Sequence, residues 1–155
     1  MEYSYNSPLG VIRLVSEGGF LTRLDFPDDA RPAGAGDKPS CPVIELCAEQ
    51  LDGYFAGVLT AFTVPVKPKG TAFQADVWRG LTAIPYGQTR SYKELAAHIG
   101  RPGAARAVGG ANHANPIYII IPCHRVIGAD GSLSGYGGGI WRKEWLLNHE
   151  KSTRP

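Results

Sequence analysis

The sequence predicts an α+β protein in two parts: a small N-terminal sheet with one helix, then a mostly helical domain with a winged or helix-turn-helix core. Three observations predict it. Residues 1–70 hold apolar stretches of strand character broken by Gly and Pro turns, residues 71–155 open on helix-capping signatures, and the charge changes sign between the two. The first 70 residues carry 6 Lys/Arg against 9 Asp/Glu and the remainder 10 against 5, so the net +2 divides into −3 and +5. A basic half of this kind suits a polyanionic partner.

The elements follow in order. Residues 11–15 and 20–26, either side of Gly18-Gly19, read as a β-hairpin. Residues 28–40 (DDARPAGAGDKPS) have loop composition. Pro42 suits the first turn of a helix, with Ile44, Cys47, Leu51, Tyr54 and Phe55 at helical spacing behind it. Cys47 therefore reads as a small buried apolar residue. Residues 61–66 suggest one more strand, and Pro68-Lys69-Gly70 a link, which places the domains at 1–68 and 69–155.

In the second part, Thr71 and Gln74 form a capping box ahead of an apolar stripe of Phe73, Val77, Trp78, Leu81 and Ile84, with the helix stopping at Pro85. Ser91 and Glu94 form another, ahead of Tyr92, Leu95, Ala96 and Ile99. Gly100-Arg-Pro-Gly103 ends that helix, and residues 104–111 are helix-compatible, which together describe a helix-turn-helix. Residues 116–121 (PIYIII) have the look of a buried strand that delivers the chain to Cys123. Residues 131–139 form a Gly-rich loop, and residues 141–150 a last helix with Trp141, Trp145 and Leu146 packed.

Composition narrows the function classes. No apolar run approaches the ~20 residues of a membrane span, and the N-terminus lacks the basic and apolar regions of a signal peptide, so the expected setting is cytoplasmic, with no membrane. Three cysteines without a CxxC argue against a disulfide framework, and the four histidines have no zinc-finger spacing, so no metal is expected.

Cys123 carries the chemistry. It is followed at once by His124 and Arg125, and a thiol needs deprotonation to become a nucleophile. A carboxylate-oriented imidazole can take that proton, and Glu150 is the C-terminal candidate to orient His124. Neighbours on an extended strand point to opposite sides, so Cys–His contact needs a turn at Pro122 or a bridging water.

The hexapeptide Ile121-Pro-Cys-His-Arg-Val126 resembles the active-site motif of the O6-alkylguanine-DNA alkyltransferases. The similarity runs, with order and spacing kept, through Phe73, SYKELAAHIG and AARAVGGANHANP, the Cys segment, the Tyr-Gly-Gly loop and KEWLLNHE, roughly residues 71–150. Residues 1–70 resemble the family's ribonuclease H-like N-terminal domain only in length and in strand-then-helix order. The resemblance implies that Cys123 accepts the alkyl group, that His124 is the base acting through a water, and that Glu150 orients it. Asn115 would tie the backbone near Cys123 to the recognition helix, and Tyr92 would offer its hydroxyl to the flipped guanine. Arg106 would enter the duplex where the base has left. Ala104 and Ala105, with the glycines that follow, would let the backbone approach the minor groove. Tyr136 would line the pocket, backbone at Cys123 and Val126 would read the exocyclic amine, and Ser91 and Arg125 would join the groups that meet DNA or substrate. The implied partner is double-stranded DNA carrying O6-alkylguanine, bound by a monomer with no cofactor.

Elementary chemistry fits that scheme. An O6 substituent within a duplex is out of line for a protein thiolate, so the nucleotide must be extruded. The resulting thioether lies off the thiol–disulfide ladder, which makes the transfer irreversible. The chain departs from some members in having Gly137 after the pocket Tyr where they have Ser: a hydroxyl contact is lost, and in so Gly-rich a loop the breadth of the pocket and its tolerance for larger alkyl groups stay open. Two rivals remain at this level. Alkyltransferase-like proteins bind the lesion without repairing it and carry another residue, typically Trp, at the Cys position; a cysteine hydrolase would leave the helix-turn-helix unexplained.

Overall fold

The computed structural model describes residues 1–153 except 30, 35, 40 and 134. The chain falls into two compact units, Met1–Lys69 and Gly70–Pro155.

The first unit is an antiparallel meander of β1 (Glu2–Ser7), β2 (Gly10–Glu17) and β3 (Phe20–Asp25) under one helix, α1 (Pro42–Phe55). The expected hairpin is β2–β3. It turns on Gly18 and Gly19 at φ 57° and 85°, where a Cβ would be strained. β1 had no counterpart in the sequence reading, because EYSYNS is too polar to stand out; it is an edge strand paired from Glu2↔Val15 to Ser7↔Gly10. Across β2–β3, Val15 faces Arg23 and Ser16 faces Leu21, so Thr22 is an extra residue that bulges β3. The bulge lets Leu21 and Leu24, three apart, both turn inward with Ile12 and Leu14.

α1 covers that face with Ile44, Cys47, Leu51 and Tyr54, all fully buried. Pro42 begins it, where its missing N–H costs nothing. Burying each of the aliphatic side chains contributes about 1.5–3 kcal/mol. Residues 61–66 are not a strand. They supply one parallel bridge, Leu21↔Val66, flanked by Leu21 N–H to Pro65 O and Lys67 N–H to Leu21 O, both 2.9 Å. Pro65 lacks a donor and cannot extend a ladder.

The second unit has α2 (Ala72–Thr82), α3 (Tyr92–His98), α4 (Ala105–His113) and α5 (Ile140–Ser152), with a two-residue parallel pair of β4 (Arg90–Ser91) and β5 (Val126–Ile127). Both capping boxes are formed: Thr71 accepts from Gln74 N–H and Ser91 from Glu94 N–H, and each N3 side chain returns a bond to the cap. α2 ends at Thr82, three residues before Pro85. Its Gly80 lies so close to α3 that a Cβ there would sit 2.6 Å from Ile99 Cγ2. Trp78, buried, donates its indole N–H to Ala111 O at 2.9 Å and so binds α2 to α4. No described helix is long and apolar enough to cross a membrane.

Candidate active site around Cys123

The segment entering the site is turned, not extended. Ile120 N–H bonds to Tyr118 O at 2.7 Å across Ile119, whose φ of 70° is rare for a β-branched residue. Pro122, at φ −81° and ψ 66°, is the centre of an inverse γ-turn closed by Cys123 N–H to Ile121 O at 2.8 Å. The strand expected over residues 116–121 is therefore absent: the apolar run is buried because it is wound inside, with Ile117, Ile119 and Ile121 all within 2% of full burial. Cys123–Arg125 follows as a 3-10 turn, the device at Pro122 that a Cys–His pair requires.

Two asparagines hold these turns. Asn115 donates to Ile121 O at 2.8 Å and accepts from Ile117 N–H at 3.0 Å, closing the loop on itself. The direct bond from α4 comes from Asn112, whose amide points at Cys123 O at 3.5 Å. Asn112 escaped the sequence reading, although its polarity on the buried face of a helix (it is 3% exposed) is the signal that marks it.

Behind Cys123 lies a buried ionic cluster. His124 Nε2 and Glu150 Oε2 are 2.7 Å apart. Arg125 grips the same carboxylate, Nε to Oε1 at 2.8 Å and Nη2 to Oε2 at 3.1 Å, and its Nη1 donates to Ile84 O at 2.8 Å. Gly87 N–H adds a longer bond to Oε1, 3.3 Å. Arg125 was expected to meet DNA or substrate; its guanidinium is instead committed inside the fold, over the Tyr86 ring. Burial pushes the Glu150 carboxyl up, but the His124 and Arg125 bonds and charges outweigh it and hold the group well below the carboxylate range. Burial pushes His124 below its ordinary value, Glu150 opposes, and Arg125 and Lys143 add to the lowering. With Nε2 on Glu150, the buried Nδ1 has no hydrogen-bond partner among the described residues.

Lys143 is the second residue that sequence reading missed. It is fully buried, and its charge favours the Cys123 thiolate. Burial drives the thiol up to about 11, against which an Asn115 hydrogen bond and Lys143 act. Lys143, Leu146 and Glu150 form the inward face of α5, while Trp141, expected to be packed, is 55% exposed. The helix lies where it was expected and Leu146 is packed, but periodicity misreads its inward face because two of the residues there are charged.

The remaining candidates spread around the turn. Tyr92 begins α3, half-buried; Cβ atoms on Gly109 and Gly135 would each come within 3.6 Å of it, so its ring is flanked by α4 and the glycine loop. Ser91 is the α3 cap. Ala104 caps α4, Ala105 and Arg106 open it, and Arg106 is exposed. Val126, fully buried, donates its N–H to Cys123 O and pairs with Arg90. Tyr136 is buried, its ring 5.2 Å from that of Tyr118. At Gly137 a Cβ would collide with the Tyr118 hydroxyl, which takes up the space beside the loop there.

Comparison with known proteins follows the same division. Residues 1–68 match the ribonuclease-like domain of 6-O-methylguanine DNA methyltransferase, and residues 72–152 its DNA binding domain. The chain belongs to this family. It is 52% identical over 151 residues to a methylated-DNA–protein-cysteine methyltransferase of Mycobacterium tuberculosis, covering 97% of this chain and 92% of that one. A Salmonella typhimurium protein of the same name is 59% identical over 104 residues, covering 66% of this chain and 61% of the relative. The crystal structure of the Mycobacterium tuberculosis O6-methylguanine methyltransferase superposes with a TM-score of 0.87 at 48% identity, covering 99% and 94% of the two chains. A structure of the Mycobacterium tuberculosis protein in complex with DNA gives 0.85 at 50% identity, covering 98% and 93%.

Proposed function

We infer that this chain repairs O6-alkylguanine in duplex DNA by transferring the alkyl group to Cys123, once per molecule. The observation that carries the reading is a buried thiol on a 3-10 turn, backed by a buried His124–Glu150 pair and joined by Asn112 to α4. A cysteine at this position also favours repair over mere lesion binding.

In the resting protein a thiol near 11 is almost wholly protonated at neutral pH. Transfer therefore couples to proton removal. The Cys123 proton passes to His124 Nδ1, through one water, while Lys143 and Asn115 stabilise the thiolate. Sulfur attacks the alkyl carbon, the C–O6 bond breaks, and its electron pair stays on the purine. Tyr92 gives its hydroxyl proton to the leaving guanine, and solvent returns one to Tyr92 as His124 releases its own. The products are a thioether and intact guanine, with no cofactor consumed.

The α3–turn–α4 unit docks DNA in the minor groove, where Ala104 and Ala105 permit close approach and Arg106 fills the gap left by the extruded nucleotide. The protein acts as a monomer in the cytoplasm, a reducing setting that suits its three free cysteines. Incubation with excess O6-methylguanine oligonucleotide should add one methyl mass per chain, on the Cys123 peptide; a second equivalent, or label on Cys41 or Cys47, overturns the reading. Arg106→Ala should slow duplex repair roughly tenfold, spare free O6-benzylguanine, and cut the salt dependence of DNA affinity by about one phosphate.

A further inference from the structure

Glu150 is shared. One carboxylate, 1% exposed, takes the His124 ring on Oε2 and both Nε and Nη2 of Arg125, while Nη1 of the same guanidinium is tied to the backbone at Ile84. A buried carboxylate facing a histidine alone would draw a proton onto the ring, since an ion pair is cheaper to bury than a lone charge. A histidine already protonated cannot accept the thiol proton. The guanidinium removes that need, because Arg125 and Glu150 already form a neutral pair.

We propose that Arg125 is a positioning residue for alkyl transfer: it clamps Glu150 and supplies the countercharge that leaves His124 uncharged and able to take the Cys123 proton. This rests on the reading of His124 as the base. The fork fits the role better than an ammonium would, because two parallel bonds fix the plane of the carboxylate and hence the aim of Oε2 at the ring. The charged and titratable groups facing His124 are few. Glu150 and Lys143 come from α5, Cys123 and Arg125 from its own turn, and Tyr136 and Tyr92 stand beyond Cys123 on the glycine loop and α3. Of the two cations, Arg125 grips both carboxylate oxygens of Glu150 with its fork.

The test is the pH dependence of single-turnover transfer, with free O6-benzylguanine and with duplex substrate, over about pH 5 to 10. Arg125→Met should raise the acidic limb of the profile by about one pH unit on both substrates. The rate should then fall roughly tenfold below the limb and recover above it. Arg125→Lys keeps the charge without the fork, so its limb should stay in place while the rate drops several-fold throughout. A folded Met variant whose rate falls evenly at all pH, with the limb unmoved, overturns the proposal. If the Met variant fails to fold, the Lys variant decides, and equality with wild type in rate overturns it. His124→Ala separates the two layers: survival of the wild-type limb in that variant sinks the base assignment itself, whereas a limb that needs His124 but ignores Arg125 sinks only this proposal.

Discussion

Cys47 and Cys123 are both buried thiols, and their surroundings could hardly differ more. Cys47 lies on the apolar face of α1 in line with Ile44, Leu51 and Tyr54, and burial alone pushes it up to about 12. Cys123 is as deeply buried, yet an amide and an ammonium pull it back to about 11, and a histidine, a carboxylate and a guanidinium stand next along the chain and across α5. Burial by itself makes a thiol inert. What turns one into a nucleophile is a set of groups that have already met the cost of stabilising charge there, waiting for a proton to leave.

The largest effect that contrast predicts is on chemistry. Cys123→Ser should reduce transfer at least roughly a thousandfold, since an alkoxide is far harder to form than a thiolate, while duplex binding persists. Cys47→Ser should leave transfer intact but cost about 1–3 kcal/mol in denaturant unfolding, through a hydroxyl buried without a partner. Loss of transfer in the Cys47 variant at full stability would break the comparison.

Alkaline titration sharpens it. Both folded thiols sit above the unfolded value near 9, so as pH rises past that value the unfolded chain sheds protons that the folded chain keeps. Stability from these groups is thus complete below about pH 9 and lost as pH climbs. One unit corresponds to about 1.4 kcal/mol, so Cys123 accounts for roughly 2–3 kcal/mol by pH 11. Protein already methylated at Cys123 has one titrating thiol fewer and should lose stability less steeply between pH 9 and 11. Equal slopes before and after methylation would assign the alkaline loss to other groups.

Lys143→Met comes next. Removing the buried ammonium while keeping the stem should slow transfer roughly tenfold on free base and duplex alike, with DNA affinity unchanged. An effect on duplex alone would move Lys143 from the thiolate to the DNA side.

What was legible in the sequence was what is decided locally. Thr71-Gln74 and Ser91-Glu94 announce their helices because a capping box is complete within four residues. The Gly18-Gly19 hairpin and the Pro42 start are of the same kind. The motif around Cys123 and the C-terminal segment pointed to Cys123, His124 and Glu150, but not to the groups that support them, because support is tertiary. Lys143 sits between Arg142 and Glu144 and looks like any surface cation until α5 is seen to turn it inward. Residues 116–121 have every strand propensity and form turns instead, since the loop bonds of Asn115 and a positive φ at Ile119 override them. β1 was hidden by polarity, as edge strands are.

The smallest effect concerns breadth of substrate. In sequence Gly137 left the breadth of the pocket open; in the fold the Tyr118 hydroxyl occupies the place of its missing Cβ, and the Tyr118 ring lies against buried Tyr136. The loop is thus filled from behind by a phenol. Gly137→Ser must push that hydroxyl aside. Because the displaced atom is the far end of a half-exposed side chain, the stability cost should stay below about 1 kcal/mol. The displaced ring leans on Tyr136, so transfer of a benzyl group should change more than transfer of a methyl, by a few-fold in their ratio. Tyr118→Ala empties the contested space, and adding Gly137→Ser to it should then alter neither stability nor the benzyl-to-methyl ratio. Such non-additivity is the signature of two residues sharing one volume. If the two substitutions add, Tyr118 and Gly137 act separately, and the width of this pocket is set by the loop backbone alone.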